Sequence, residues 1–398
     1  MIRCRHRRLV GSARQRAGFT LVELMVSITV LSLMLVLVFQ MLDETQKTWA
    51  RAKGMVSSFK EARDGFEALN RVVGQATLNT YLGYDVFANS SIPQSFERKS
   101  ELHFVCGPVK ELLGNAENRY RVTHSIFFQA PLGFQTIAAR GQSSSGRKDD
   151  YSEMDTLLNG WGYYVEYSTD KFERPPFLGL LTPPVEERWR YRLMEFRQPA
   201  EATTIYQYHL DEAKNPSKDL VWKWFNGRQF GIESAANQDP ITSAGEIRTT
   251  RIVADNIIAL VISPRLAEND LEQDEDGSPP IYRFKEATDI AKGYLYDSRE
   301  FQYSSSKTDE VRFSRHQIPP VLRITMVAVD EIDVSRFAAR TDPTKPPDYA
   351  PDDNFFQDVD KYQAHLKQLS ESLESIGIRH RVFTSNIRMR EGNFSKVF

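Results

Sequence analysis

Seven histidines and two cysteines make up the chain's stock of soft nucleophiles and metal ligands. Hydrolytic or metal chemistry needs such groups at short fixed spacings, as in His-x-x-x-His, paired cysteines or a Gly-x-Ser-x-Gly elbow. The histidines stand at 6, 103, 124, 209, 316, 365 and 380, and none of those patterns occurs. Gly160-Trp161-Gly162 lacks the third glycine of a dinucleotide loop, and there is no Gly-Lys-Ser/Thr phosphate loop. No catalytic residue, cofactor or metal ligand is therefore assigned, and the chain is not expected to be an enzyme. The acidic run Glu272-Gln273-Asp274-Glu275-Asp276-Gly277 offers the clustered oxygens that calcium favours, but a solvated acidic loop is the favoured reading. An EF-hand is excluded, because its twelfth position falls on Arg283.

The other residue with chemical potential is Glu23, the only charge in an apolar run from Phe19 to Leu42. An ionised group in a membrane span costs about 2.5–3.5 kcal/mol on insertion scales, so it calls for a partner. Lying one turn from the cytoplasmic end, Glu23 could instead reach back to the headgroups. At about 1.5 Å per residue the run spans roughly 36 Å as a helix, enough to cross a bilayer once. Arg3, Arg5, Arg7, Arg8, Arg14 and Arg16 precede it without an acid, so residues 1–18 are expected in the cytoplasm and the rest outside. A secretory signal would have a shorter apolar core and a small-residue cleavage site just beyond it; this run ends in Gln40-Met41-Leu42-Asp43-Glu44.

The junction Gly18-Phe19-Thr20-Leu21-Val22-Glu23-Leu24-Met25-Val26 resembles the cleavage and methylation signal of type IV prepilins and type II secretion pseudopilins. The resemblance implies that a prepilin peptidase cuts between Gly18 and Phe19 and methylates the new amine of Phe19. It also implies that Glu23 pairs with the Phe19 amine of a neighbouring subunit during filament assembly. Loss of the leader's six arginines would take the formal charge from −2 to −8, which argues against nucleic acid as a partner. Cys4 would leave with the leader. Cys106, in Leu102-His103-Phe104-Val105-Cys106, would then have no disulfide partner and reads as a small buried hydrophobe.

The elements that must carry these residues follow from periodicity. Trp49, Ala52, Val56, Phe59, Phe66, Leu69, Val73 and Ala76 recur at helical steps and form one apolar face, continuing the membrane helix and seeking a sheet. No proline interrupts before Pro93; Gly54, Gly65 and Gly74 mark flexible points or close packing. From about residue 100, Leu102–Cys106, Thr123–Phe128, Gly162–Tyr167, Tyr191–Phe196, Leu220–Phe225, Ile257–Ile262, Val321–Val329 and Val382–Ile387 read as strands. Loops are expected at 140–152, 268–280 and 341–354. A late helix at about 355–376 carries Val359, Tyr362, Leu366, Leu369, Leu373 and Ile376 and ends at Gly377. The aromatics of Trp161-Gly162-Tyr163-Tyr164 and Trp222-Lys223-Trp224 could stack on a ligand, but strand aromatics more often fill a core.

The expected fold is α+β: a long transmembrane-plus-amphipathic helix packed on an antiparallel sheet head, in the pilin-like manner. Its divisions are a cleaved leader 1–18, a membrane or filament-core helix 19–42, an amphipathic extension 43–80 and a β-rich head 81–398. The blocks Gly162–Tyr167, Leu193–Glu201, Ala254–Arg265, Pro319–Val321 and Arg381–Thr384 further resemble the Verru_Chthon cassette protein C family. The layout is similar to that of the larger minor pseudopilins. These resemblances imply a non-enzymatic filament subunit, inserted in the bacterial inner membrane with its head in the periplasm. Its partners would be other prepilin-like subunits, prepilin peptidase, an inner-membrane assembly platform and, before assembly, membrane lipid. The alternative is a single-pass tethered binding protein that never polymerises.

Overall fold

The computed structural model describes residues 20–85, 95–114, 119–134, 156–171, 173–200, 203–206, 218–226, 249–266, 290–291, 293–299, 315–338, 342, 344–352 and 354–392. Gly18, Phe19, His6, His209 and the expected loops 140–152 and 268–280 lie outside them. The chain is α+β, with a long apolar N-terminal helix and antiparallel sheets. Helix α1 runs Leu21–Val73. The chain forms two compact units, Met1–Gly54 and Met55–Phe398.

In the first unit the side chains of Leu21 to Leu42 are exposed, Leu21 by 76% and Met41 by 71%. The few polar groups of this stretch are satisfied locally. Ser27 Oγ donates to the Glu23 carbonyl at 2.7 Å, Thr29 Oγ1 to Val26 at 2.8 Å and Ser32 Oγ to Ile28 at 2.8 Å. Such back-bonding lets hydroxyls sit in an apolar solvent without a second chain. Trp49 and Ala52 are exposed as well.

Among the described residues, the second unit holds two main sheets and a hairpin. The strands are β1 (Tyr81–Asp85), β2 (Ser95–Lys99), β3 (Val105–Pro108), β4 (Arg121–Pro131), β5 (Leu158–Thr169), β6 (Trp189–Gln198), β7 (Thr250–Asp255), β8 (Ile257–Arg265), β9 (Tyr296–Asp297), β10 (Val321–Val329) and β11 (His380–Arg388). One sheet has the order β7-β6-β5-β4-β3-β9, a second β11-β10-β8, and β1 pairs with β2; every pairing is antiparallel. The β1–β2 hairpin is not evident from the sequence, since Tyr81–Asp85 lacks a clear alternation.

The head portion of α1 buries Ala62, Phe66, Leu69 and Val73. Phe66 meets Phe383 of β11 at 5.9 Å between ring centroids. Gly65 resolves to close packing: a Cβ there would stand 3.1 Å from Cβ of Ala254 on β7. Val56 stays 68% exposed, so the covered stripe starts at the half-buried Phe59 rather than at Trp49. Periodicity reports which residues share a face and not how far the covering sheet extends.

Among the described residues the head also carries helices α2 (Val109–Leu112), α3 (Lys218–Asn226), α4 (Glu331–Ala338) and α5 (Tyr362–Ser375). Helix α3 overturns the strand expected at Leu220–Phe225. Trp224 and Phe225 are adjacent and both fully buried, Phe225 stacking on Phe127 at 4.2 Å. Consecutive strand side chains would point to opposite faces. Helix α4 is capped by Asp330, whose Oδ1 accepts from the Ile332 N–H at 2.9 Å. Helix α5 buries Tyr362, Leu369 and Leu373 and stops at Gly377 (φ 75°), where Ile378 N–H returns to the Leu373 carbonyl at 2.9 Å. Ile376, expected on its apolar face, is 45% exposed because it lies at the helix cap.

Candidate functional site

The described part of the N-terminal junction is a closed hydrogen-bond ring. The Thr20 backbone N–H and its Oγ1–H both reach Glu23 Oε2, at 3.0 and 3.1 Å, and the Glu23 N–H donates to Thr20 Oγ1 at 3.3 Å. This is a Thr-x-x-Glu capping box, which satisfies two of the donors that the first turn of α1 leaves open. The carboxylate is thereby held at the very start of the helix, bonded to the residue next to the expected new terminus. Sequence reading singled out Glu23 for its charge and passed over Thr20, although the Thr-x-x-Glu spacing was there to be read.

The head contains a second constellation that the sequence did not reveal. His103 Nε2 lies 2.8 Å from Asp297 Oδ1, and both residues are buried. The Trp224 indole donates to His103 Nδ1 at 3.1 Å, and Trp222 donates to Asp297 Oδ2 at 3.0 Å. An indole N–H can only donate, so Nδ1 is the acceptor and Nε2 carries the proton given to Asp297. Both ring nitrogens are therefore committed, and neither remains to take a proton from a nucleophile. Burial raises the Asp297 carboxyl, but its interaction with His103 and the bonds from Arg299 N–H and Trp222 outweigh that and hold it at about 2. The dyad pins α3 to the ends of β3 and β9.

The thiol and most of the aromatics are equally enclosed. Burial pushes the Cys106 thiol up, keeping it as the inert hydrophobe expected. Trp161, Tyr163, Tyr164 and Trp224 are buried, so these aromatics fill the core rather than offer a stacking surface. Glu391 borders a cavity of about 200 Å³ that Arg98 and His316 also line, and its carboxylate is taken up by Thr77 Oγ1 at 2.6 Å and Leu78 N–H at 3.0 Å. Among the described residues no cluster of His, Cys, Asp and Glu could hold a metal ion.

Residues 13–39 match the prokaryotic N-terminal methylation motif. That match covers the leader's end, the Gly18-Phe19 junction, Thr20, Glu23 and most of the apolar run, marking a prepilin-type precursor with a candidate membrane anchor. No curated protein and no solved structure matches the chain.

Proposed function

We propose that this chain is a minor, pseudopilin-type subunit of a type IV pilus-like or type II secretion-like filament. Prepilin peptidase cuts between Gly18 and Phe19 and methylates Phe19; Glu23 supplies the counter-charge for that amine in the assembled filament. The observation that carries this reading is the methylation motif at 13–39, continuous with an exposed apolar helix that opens on the Thr20–Glu23 ring. The head works by contact and does no bond chemistry of its own. It lies in the periplasm, with the leader in the cytoplasm, as the arginine-rich leader supports. A head of this size would crowd a uniform filament, which favours a low-copy or tip-proximal position.

The narrower resemblance to the Verru_Chthon cassette protein C family rests on blocks that fall chiefly on β5, β6, β8 and β11, four of the strands in the two main sheets. We hold it as part of the proposal. Mass spectrometry of the protein recovered from membranes tests the reading: the expected terminus is N-methylated Phe19, and co-purification with other processed prepilin-like subunits in sheared filaments is expected. An intact leader sinks the processing claim. A methylated protein found only as a tethered monomer favours the binding-protein alternative.

A further inference from the structure

His124 joins three separate parts of the head through one uncharged ring. Between Val122 (opposite Val165) and Ile126 (opposite Tyr163), β4 carries two more residues than its partner strand, with Thr123 at φ 60°. This bulge turns Thr123 and His124 toward the free edge of β8, where Thr123 Oγ1 accepts from the Leu260 N–H at 2.9 Å. His124 is fully buried; its Nδ1 accepts from the Ile262 N–H at 3.0 Å and its Nε2 donates to the Phe356 carbonyl at 2.9 Å. Phe356 is itself buried in the left-handed region, φ 56°, and its N–H donates to His365 Nδ1 on α5 at 3.0 Å. A peptide N–H only donates and a carbonyl only accepts, so the partners of His124 admit the neutral Nε2–H form and no other.

The groups facing the ring from each packed element are uncharged or remote. The Tyr294 ring lies tilted against it, 4.5 Å between centroids, Pro108 lies opposite on β3, Ile262 lies on β8, and His365 stands behind Phe356. No carboxylate or cation among the described residues bonds to it. Burial pushes the imidazole down to about 4, against the bonds from Phe356 and Ile262.

We propose that His124 is an acid-operated release for the seam between the two main sheets. A proton on Nδ1 would set one N–H against that of Ile262, so the protonated ring withdraws. The β8 edge and the Phe356 segment then open together, while the β4–β5–β6 ladders stay closed. This rests on the head alone and is independent of prepilin processing.

Hydrogen–deuterium exchange of the full chain in detergent, corrected for intrinsic rate and resolved by overlapping peptides, tests it. A ring that binds its proton near 4 when seated and near 6.5 when released makes the Ile262 and Phe356 amides exchange on the order of fifty-fold faster at about pH 4.5 than at about pH 7. Gly160–Val165 on β5 should keep its protection. The variant His124→Asn, whose amide oxygen can accept from Ile262 without titrating, should show no such acceleration. A wild-type change below about threefold, an equal acceleration in His124→Asn, or loss of protection everywhere at once would each overturn the proposal. The wild-type measurement decides even where the variant fails to fold.

Discussion

Glu23 is tied to Thr20 of its own chain, and on the filament reading it has a second partner. In a lone subunit the capping box gives the carboxylate two hydrogen bonds from its own chain, which offsets part of the cost of placing it beside hydrocarbon. In the filament reading the same oxygen atoms face a neighbouring amine. Glu23→Val removes the charge and leaves the apolar run intact, so insertion and cleavage should survive while recovery in sheared filaments is lost; membrane and filament fractionation measures both. Recovery at the wild-type level would mean that the carboxylate only reaches for the headgroups. Gly162 tests the head at the same scale. A Cβ there would stand 2.2 Å from Cδ1 of Phe127, so Gly162→Ala should destabilise the head by about 2 kcal/mol or more, read as a lower urea midpoint. Glu23 was legible because a charge in an apolar run violates a local rule. The His103–Asp297 pair was not, since its members are brought together only by the β3–β9 pairing.

Helix α1 and the longer strands of the two main sheets were legible for a related reason: their periodicities are local. Val321–Val329 coincides with β10, and the segments at 123–128, 162–167, 191–196, 257–262 and 382–387 all lie within longer strands. Periodicity failed where tertiary contact decides. Trp222-Lys223-Trp224 alternates like a strand, yet the indole bonds to Asp297 and His103 fix it as a helix. The apolar stripe likewise runs past the sheet that covers it. Phe66→Asp should unfold the head, because an unpaired buried carboxylate costs several kcal/mol, whereas Val56→Asp on the same stripe should shift stability by less than about 0.5 kcal/mol. Thermal melts of the two variants give the contrast. Equal melting would show that the covered stripe is not where the structure puts it.

The whole molecule divides near Gly54, and the head unit carries its own core. Removing residues 1 to 48 should leave a soluble, cooperatively melting fragment, checked by circular dichroism and gel filtration. Its acid sensitivity follows from two buried groups. For His124 the folded value of about 4 lies below the unfolded value of about 6.5; the unfolded chain therefore binds the extra proton between them. Stability then falls as pH drops through that window, by about 3 kcal/mol at most. For Asp297 the folded value of about 2 lies below the unfolded value of about 3.9; its contribution stands above the latter and is lost as pH falls through the former, about 2–3 kcal/mol in all. Urea midpoints taken from neutral pH to about pH 3 should decline first through the histidine window and then again below it. A flat midpoint down to about pH 4 would contradict the buried neutral imidazole.

The hydroxyls of Ser27, Thr29 and Ser32 donate to carbonyls of their own helix. A subunit leaving the bilayer for a bundle of like helices therefore carries its side-chain wiring with it: lipid tails are exchanged for protein side chains of similar polarity, and none of these three bonds need break on the way. Such a helix has no internal ratchet. On the filament reading, extraction along it would exchange surfaces of like polarity, so direction and work would have to come from outside the span.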